Sequence, residues 1–238
     1  MSNYVYILRT CYADLTSYGE FKYPEKGKVI CPDWNPEPVC GGGLHGLLNG
    51  TGNGNLLNWN ADAKWLVLKA KAEDVVSIDD GEKVKCKQAT VVFCGDRKGA
   101  TDYIIAKGVD SSKVVGAFLT CGNNTTLNGG DFSILTGGDY SKLNGGHWSK
   151  LIGGFKSTLN GGNVSKLNGG NYSTLTGGYG STLNGGDFST LTGGEGSVLI
   201  VVYYQNGKQH VATKEIDKDS AGKTWRYDID KKLWVEKV

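Results

Sequence analysis

Leucine recurs every eighth residue without a slip, at Leu119, Leu127, Leu135, Leu143, Leu151, Leu159, Leu167, Leu175, Leu183, Leu191 and Leu199. Serine stands two positions before most of these leucines, from Ser133 to Ser197, with Ala117 and Thr125 holding that slot in the first two units. A Gly-Gly pair follows two positions after each leucine from Gly129-Gly130 to Gly193-Gly194. The consensus is Ser-x-Leu-x-Gly-Gly-x-x. Residues two apart share one side of an extended strand, so Ser and Leu face the same way and their neighbours face out. Gly-Gly is expected to supply the unusual φ/ψ of a turn. One octad is then a short strand and a corner. A lone strand cannot bury its leucine, whereas stacked coils can. The repeat therefore predicts a β-solenoid over 117–200, with leucine ladders inside and serine hydroxyls bonding to the backbone or to neighbouring rungs. Two octads per coil give a flattened 16-residue turn, which the reading favours, and five such coils would stand roughly 24 Å tall. Three octads would give a triangular section.

Composition removes several alternatives. The chain has 238 residues with 37 Gly but only 4 Pro, which excludes collagen. Fixed leucine spacing argues against a flexible Gly-rich linker. A net charge of +2 gives no footprint for nucleic acid. No apolar run reaches a membrane span, and the opening Met1-Ser2-Asn3-Tyr4-Val5-Tyr6 lacks the features of a signal peptide. A cytoplasmic protein with reduced, mostly buried cysteines is the expectation.

The stretch Gly178-Tyr179-Gly180-Ser181-Thr182-Leu183-Asn184-Gly185-Gly186-Asp187-Phe188-Ser189-Thr190-Leu191-Thr192 resembles the tandem repeat of bacterial ice-nucleation proteins. The resemblance covers roughly the 80 residues of the repeat and implies a 16-residue coil. This chain departs from that family by Gly-Gly in place of Ala-Gly and by Lys142, Lys150 and Lys166. Residues 201–238 read as a C-terminal cap, which an open solenoid end requires. Val198–Tyr204 is a strand, Gln205-Asn206-Gly207-Lys208 a hairpin turn, and Thr224–Tyr227 with Leu233–Val235 a second hairpin.

Residues 1–116 carry no repeat and read as a compact α+β domain. Strands are expected at Tyr4–Leu8, Trp65–Ala70 and Lys83–Cys94, and a helix at Ala100–Lys107 closed by Gly108. Tyr4-Val5-Tyr6, Cys31-Pro32-Asp33-Trp34-Asn35-Pro36 and Cys40-Gly41-Gly42-Gly43-Leu44-His45-Gly46 resemble an uncharacterised domain family of bacterial and phage proteins, which implies no known activity. The Gly-rich turn before Leu44-His45 also resembles a strand of ADP-ribosyl transferases, implying a transferase-type head built on Cys40–His45. Cys31, Cys40 and His45 lack a Cys-x-x-Cys knuckle, and Gly50-Thr51-Gly52-Asn53-Gly54 lacks the ending of a phosphate loop. Acids after Gly-Gly occur only at Asp131, Asp139, Asp187 and Glu195, which rules out a calcium roll. No cofactor or metal is expected.

Two candidate surfaces follow from the repeat. With 16-residue coils, one face carries Thr126, Asn128, Lys142, Asn144, Thr158, Asn160, Thr174, Thr176, Thr190 and Thr192. Regular Thr hydroxyls and methyls can order water; equally, Thr and Asn are ordinary soluble residues for an outward strand face. The slot before Ser carries Phe132, Tyr140, Trp148, Tyr172 and Phe188, expected to line one edge as a strip for a protein partner or a homodimer, or to pack over adjacent turns. The leading expectation is a non-enzymatic binding or scaffold protein engaging another protein or itself. Ice or water ordering by the Thr/Asn face is the second, and an enzymatic head the third.

Overall fold

The computed structural model describes residues 3–237; Met1, Ser2 and Val238, read above as part of the start and of the cap, lie outside them. The chain divides into two compact units after Ala117.

The first unit is an α+β domain. Its strands are β1 (Tyr4–Cys11), β2 (Gly27–Ile30), β3 (Leu44–Leu48), β4 (Lys64–Lys71), β5 (Val75–Ile78), β6 (Lys83–Cys86) and β7 (Gln88–Gly95). They form one antiparallel sheet in the order β2-β7-β4-β1-β3-β6-β5. The expected strand Lys83–Cys94 is two strands broken at Lys87, because β6 pairs with β3 and β5 whereas β7 pairs with β4 and β2. The helix α1 (Arg97–Ile105) starts three residues earlier than expected, since Asp96 caps it by accepting the Gly99 N–H at 2.7 Å. Ile7, Leu44, Leu66, Leu68, Val84 and Val91 fill the core on one side. Ala100 and Ile104 of α1 are also fully buried.

The second unit is a β-solenoid of 16-residue coils. Its even-numbered strands are β8 (Phe118–Thr120), β10 (Ile134–Thr136), β12 (Lys150–Ile152), β14 (Lys166–Asn168) and β16 (Thr182–Gly185). Between them in sequence lie β9 (Thr126–Asn128), β11 (Lys142–Asn144), β13 (Thr158–Gly161), β15 (Thr174–Gly177) and β17 (Thr190–Gly193). Even strands stack in parallel in one sheet and odd strands in the other, each residue facing the one 16 positions on, as in Leu143↔Leu159↔Leu175. Two octads therefore make a coil. Leu135 to Leu199 are all at most 1% exposed and form one continuous core. Burying a leucine is worth roughly 1.5–3 kcal/mol, which two stacked strands achieve and one cannot.

The serines form the second interior ladder. Ser165, Ser173, Ser181, Ser189 and Ser197 each donate to a glycine carbonyl of the preceding coil at 3.0–3.2 Å. The hydroxyls of Ser173, Ser181, Ser189 and Ser197 in turn accept the serine N–H sixteen residues earlier, as Ser181 does from Ser165 at 3.2 Å. In these four a buried hydroxyl is tolerated because both of its roles are used.

The Gly-Gly pairs do not serve the purpose expected of them. Positive φ falls instead on the residue before each serine: Phe132, Tyr140, Trp148, Lys156, Val164, Tyr172 and Phe188 have φ of 53–60°. The glycines are required by space. A Cβ on Gly145 would lie 2.4 Å from Ser149 Oγ, and one on Gly162 would lie 2.7 Å from the His147 backbone nitrogen of the preceding coil. Left-handed backbone costs an L-residue roughly 1–2 kcal/mol, and the β-branched Val164 suffers most. Gly180 and Gly196 hold the same slot without strain, at φ 63° and 73°. Replacing Val164 by Gly is expected to raise solenoid stability by roughly 0.5–1 kcal/mol, after glycine's own entropic cost, read as a higher urea midpoint. A lower midpoint would show that the side chain contributes more than its backbone strain removes.

The far end is closed by two hairpins. β18 (Val198–Gln205) adds in parallel to β16 and turns through Asn206-Gly207 into β19 (Lys208–Glu215). β20 (Thr224–Asp228) adds antiparallel to β17 and pairs with β21 (Leu233–Lys237). Tyr203, Ala212, Ile216 and Tyr227 continue the leucine core into this cap.

Candidate functional site

Leu127, Leu143, Leu159, Leu175 and Leu191 point inward from the odd sheet, so the residues flanking them point out. Strand register aligns Thr126, Lys142, Thr158, Thr174 and Thr190 in one column. Asn128, Asn144, Asn160, Thr176 and Thr192 form a second. Rungs are about 4.8 Å apart and the columns roughly 6.6 Å apart, two residues along a strand. The Asn side chains are held by one another: Asn160 donates to Asn144 at 2.8 Å and Asn144 to Asn128 at 2.7 Å. Thr224 of β20 adds a rung that lies outside the repeat, its hydroxyl 2.9 Å from that of Thr192. Nothing in the octad pattern marks Thr224. The even sheet is mixed, presenting Ile134, Lys150, Lys166, Thr182 and Val198 in the corresponding column.

The five slot aromatics occupy two edges, which corrects the single strip expected from sequence. Two octads per coil send alternate corners to opposite sides. Phe132 and Trp148 stack on one edge with ring centroids 6.1 Å apart. Tyr140, Tyr172 and Phe188 lie on the other, where Phe155 joins them. Successive centroids there are 5.7, 5.6 and 5.0 Å apart from Tyr140 through Phe155 and Tyr172 to Phe188. Lys156 lies over the Tyr140 and Tyr172 rings, and Arg226 over Phe188. Phe155 escaped the sequence reading because it sits one position before the aromatic slot. Tyr140, Tyr172 and Phe188 remain 41–51% exposed.

Two acids of the repeat work within the turns. Asp131 and Asp139 accept the N–H groups of His147 and Phe155 of the next coil at 2.8 Å, as Asn163 and Asn171 do for Tyr179 and Asp187 at 3.0 Å. His147 takes the same part through Nδ1, which accepts from the Asn163 N–H at 2.9 Å. Among the described residues, no group of three or more His, Cys, Asp or Glu could hold a metal ion.

In the first unit, His45 lies on β3, and burial followed by the nearby Lys83 and Arg9 charges lowers its pKa from the usual imidazole value. Cys40 is exposed, whereas Cys11, Cys31 and Cys86 are buried. Burial pushes the Cys86 thiol up to about 12 and, with a hydrogen bond to Asp33, the Cys31 thiol up to about 11, from an ordinary 9.0. Raised values mean that the folded unit binds these protons more tightly than the unfolded chain. Their contribution is complete below pH about 9 and is lost as the pH climbs towards 11–12. The urea midpoint of the first unit is therefore expected to fall between roughly pH 9 and 11, and to fall less in Cys86→Ala; a midpoint flat over that range would contradict the assignment.

The fold and these surfaces define a capped, two-sheeted β-solenoid repeat protein with an α+β head. Residues 5–104 match a family described as a domain of unknown function, DUF7666. The chain is 38% identical to an ice nucleation protein of Pseudomonas fluorescens over 103 residues, 43% of this chain and 8% of that protein. It is 36% identical to one of Xanthomonas campestris pv. translucens over 99 residues, 42% of this chain and 6% of that protein. It is 32% identical to one of Pseudomonas syringae pv. syringae over 114 residues, 48% of this chain and 10% of that protein. The match thus spans a tenth or less of the length of these relatives. No solved structure matches the chain. No helix among the described residues is long and apolar enough to cross a membrane.

Proposed function

We propose that the solenoid is a non-enzymatic display surface whose odd-sheet Thr/Asn face orders water in the manner of an ice-binding protein. The observation that carries this reading is the register: Thr158, Thr174 and Thr190 repeat in one column, and Asn128, Asn144 and Asn160 are locked to one another in the next. A lattice of fixed hydroxyls, methyls and amides can hold water without first losing its own conformational entropy. Similarity to ice nucleation proteins supports the same reading. The face is only about 24 Å tall and Lys142 interrupts it, so it suits ice binding better than efficient nucleation. Ice-recrystallisation and thermal-hysteresis assays test it. Activity should be present in the native chain, be abolished by Thr174→Tyr, and survive Lys166→Tyr on the other sheet. Inactivity of the native chain at high concentration, or equal loss in both variants, would end the proposal.

A second reading is favoured by the Tyr140–Phe155–Tyr172–Phe188 edge. A half-exposed, continuous aromatic ladder suits pairing with a second copy of the chain. Sedimentation equilibrium should then detect a dimer that Tyr172→Ala weakens and Trp148→Ala, on the opposite edge, does not. A monomer at all concentrations would dispose of it.

A further inference from the structure

We propose that the first unit holds a binding site for a small anionic molecule with a planar ring, of nucleoside-monophosphate size, in the cavity walled by Arg9, His45 and Lys83. The cavity measures about 620 Å³, and a smaller one of about 170 Å³ shares the same three residues as wall. A volume of this order suits a small ligand. The three side chains come from β1, β3 and β6, which are hydrogen-bonded neighbours in one sheet, so the backbone beneath them is rigid.

Charge and unmet hydrogen bonding give the ligand class. The cavity wall carries Arg9 and Lys83; Lys83 Nζ lies 2.8 Å from the Asp79 carboxylate, and Asp33, on the wall, accepts a hydrogen bond from the Cys31 thiol at 2.8 Å. Arg9 is held in place: its guanidinium lies 3.9 Å from the centre of the Tyr23 ring and donates to the Tyr23 hydroxyl and, at 3.2 Å, to the His45 carbonyl. Among the described residues no carboxylate pairs with it. Its Nε and the His45 Nε2, both buried, have no hydrogen-bond partner among the described residues. A pre-oriented guanidinium beside a lysine is a fit for phosphate or carboxylate. Tyr18 and Phe21 on the wall supply aromatic faces for a ring. This site is independent of the solenoid surfaces, so its failure would leave the water-ordering proposal standing.

Isothermal titration of the full chain with adenosine 5′-monophosphate, adenosine, inorganic phosphate and benzoate tests the proposal. Saturable binding is expected for the monophosphate, at least tenfold tighter than for adenosine or phosphate alone. Benzoate binding more tightly than the monophosphate would also support the site and assign the anion as a carboxylate. Lys83→Gln should weaken the binding at least tenfold with an unchanged circular dichroism spectrum, while Lys98→Gln on the exposed face of α1 should not. Absence of saturable binding by either anionic ring compound would overturn the proposal. Equal affinity for adenosine and its monophosphate, or full affinity in Lys83→Gln, would do the same.

Discussion

Gly170→Ala is expected to destabilise the solenoid by about 2–3 kcal/mol, whereas Gly122→Ala should leave it unchanged or slightly more stable. The same methyl group is added in each case, and neither glycine has positive φ. At Gly170 the new Cβ would sit 2.8 Å from the Gly154 carbonyl carbon and 2.9 Å from both the Gly154 oxygen and the Phe155 nitrogen. All three atoms are backbone of the preceding coil and cannot rotate away. The coils would have to separate there, stretching the Gly170 N–H bond to Gly154 O, now 3.1 Å, and displacing the Gly170 carbonyl that accepts from Ser189 at 3.1 Å. At Gly122 the Cβ meets nothing within 4 Å. Urea unfolding of the two variants decides the matter. Equal midpoints would mean that the glycines are not there to let coils approach.

Leu159→Ala should cost about 3–4 kcal/mol. Leu159 is fully buried, stacked between Leu143 and Leu175 in its own column and within one core with the leucines of the facing sheet. Parallel hydrogen-bonded sheets on both sides keep the space from collapsing, which keeps the site out of the low end of the usual range for leucine truncation. Because each coil touches only its neighbours, the damage should be local. Amide exchange should accelerate in β11, β13 and β15 while the β18–β19 hairpin stays protected. Leu127→Ala, on a rung that is only partly buried, should cost distinctly less. A uniform loss of protection across the second unit would indicate all-or-none unfolding rather than coupling between neighbouring coils.

The solenoid was legible because its signal is a translation. Each Leu and Ser returns to the same environment, and a step of eight fits a coil of two. What the repeat could not disclose is how each position bears its load. Gly-Gly in a turn reads naturally as a source of positive φ, yet here that conformation falls on Phe132, Tyr140, Trp148 and Val164, residues that no turn rule selects. Steric need between coils is a three-dimensional property with no local signature. The division of the aromatics between two edges follows from the coil length, but Phe155 and Thr224 lie off the repeat register and emerged only from contacts.

The head was less legible. β2, β3 and β5 are four or five residues long, and β3 reads Leu-His-Gly-Leu-Leu without apolar alternation. Lys85 is wholly buried, its ammonium satisfied by the Val39 and Gly41 carbonyls at 2.7 and 3.0 Å. A lysine at that position argues against a strand core until the irregular loop that receives it is placed. Arg9, His45 and Lys83 are likewise far apart in sequence, and only the strand order brings them to one cavity.

Every solenoid surface discussed above depends on residues sixteen apart being neighbours and residues eight apart being on opposite sheets. Disulfide formation measures this directly, because the bond requires Cα atoms roughly 4.4–6.8 Å apart. With Cys40, Cys94 and Cys121 changed to Ser, Thr158→Cys paired with Thr174→Cys should oxidise readily, and Thr158→Cys paired with Lys166→Cys should remain reduced. Bridging of the second pair but not the first would contradict the two-sheet coil and the faces built on it.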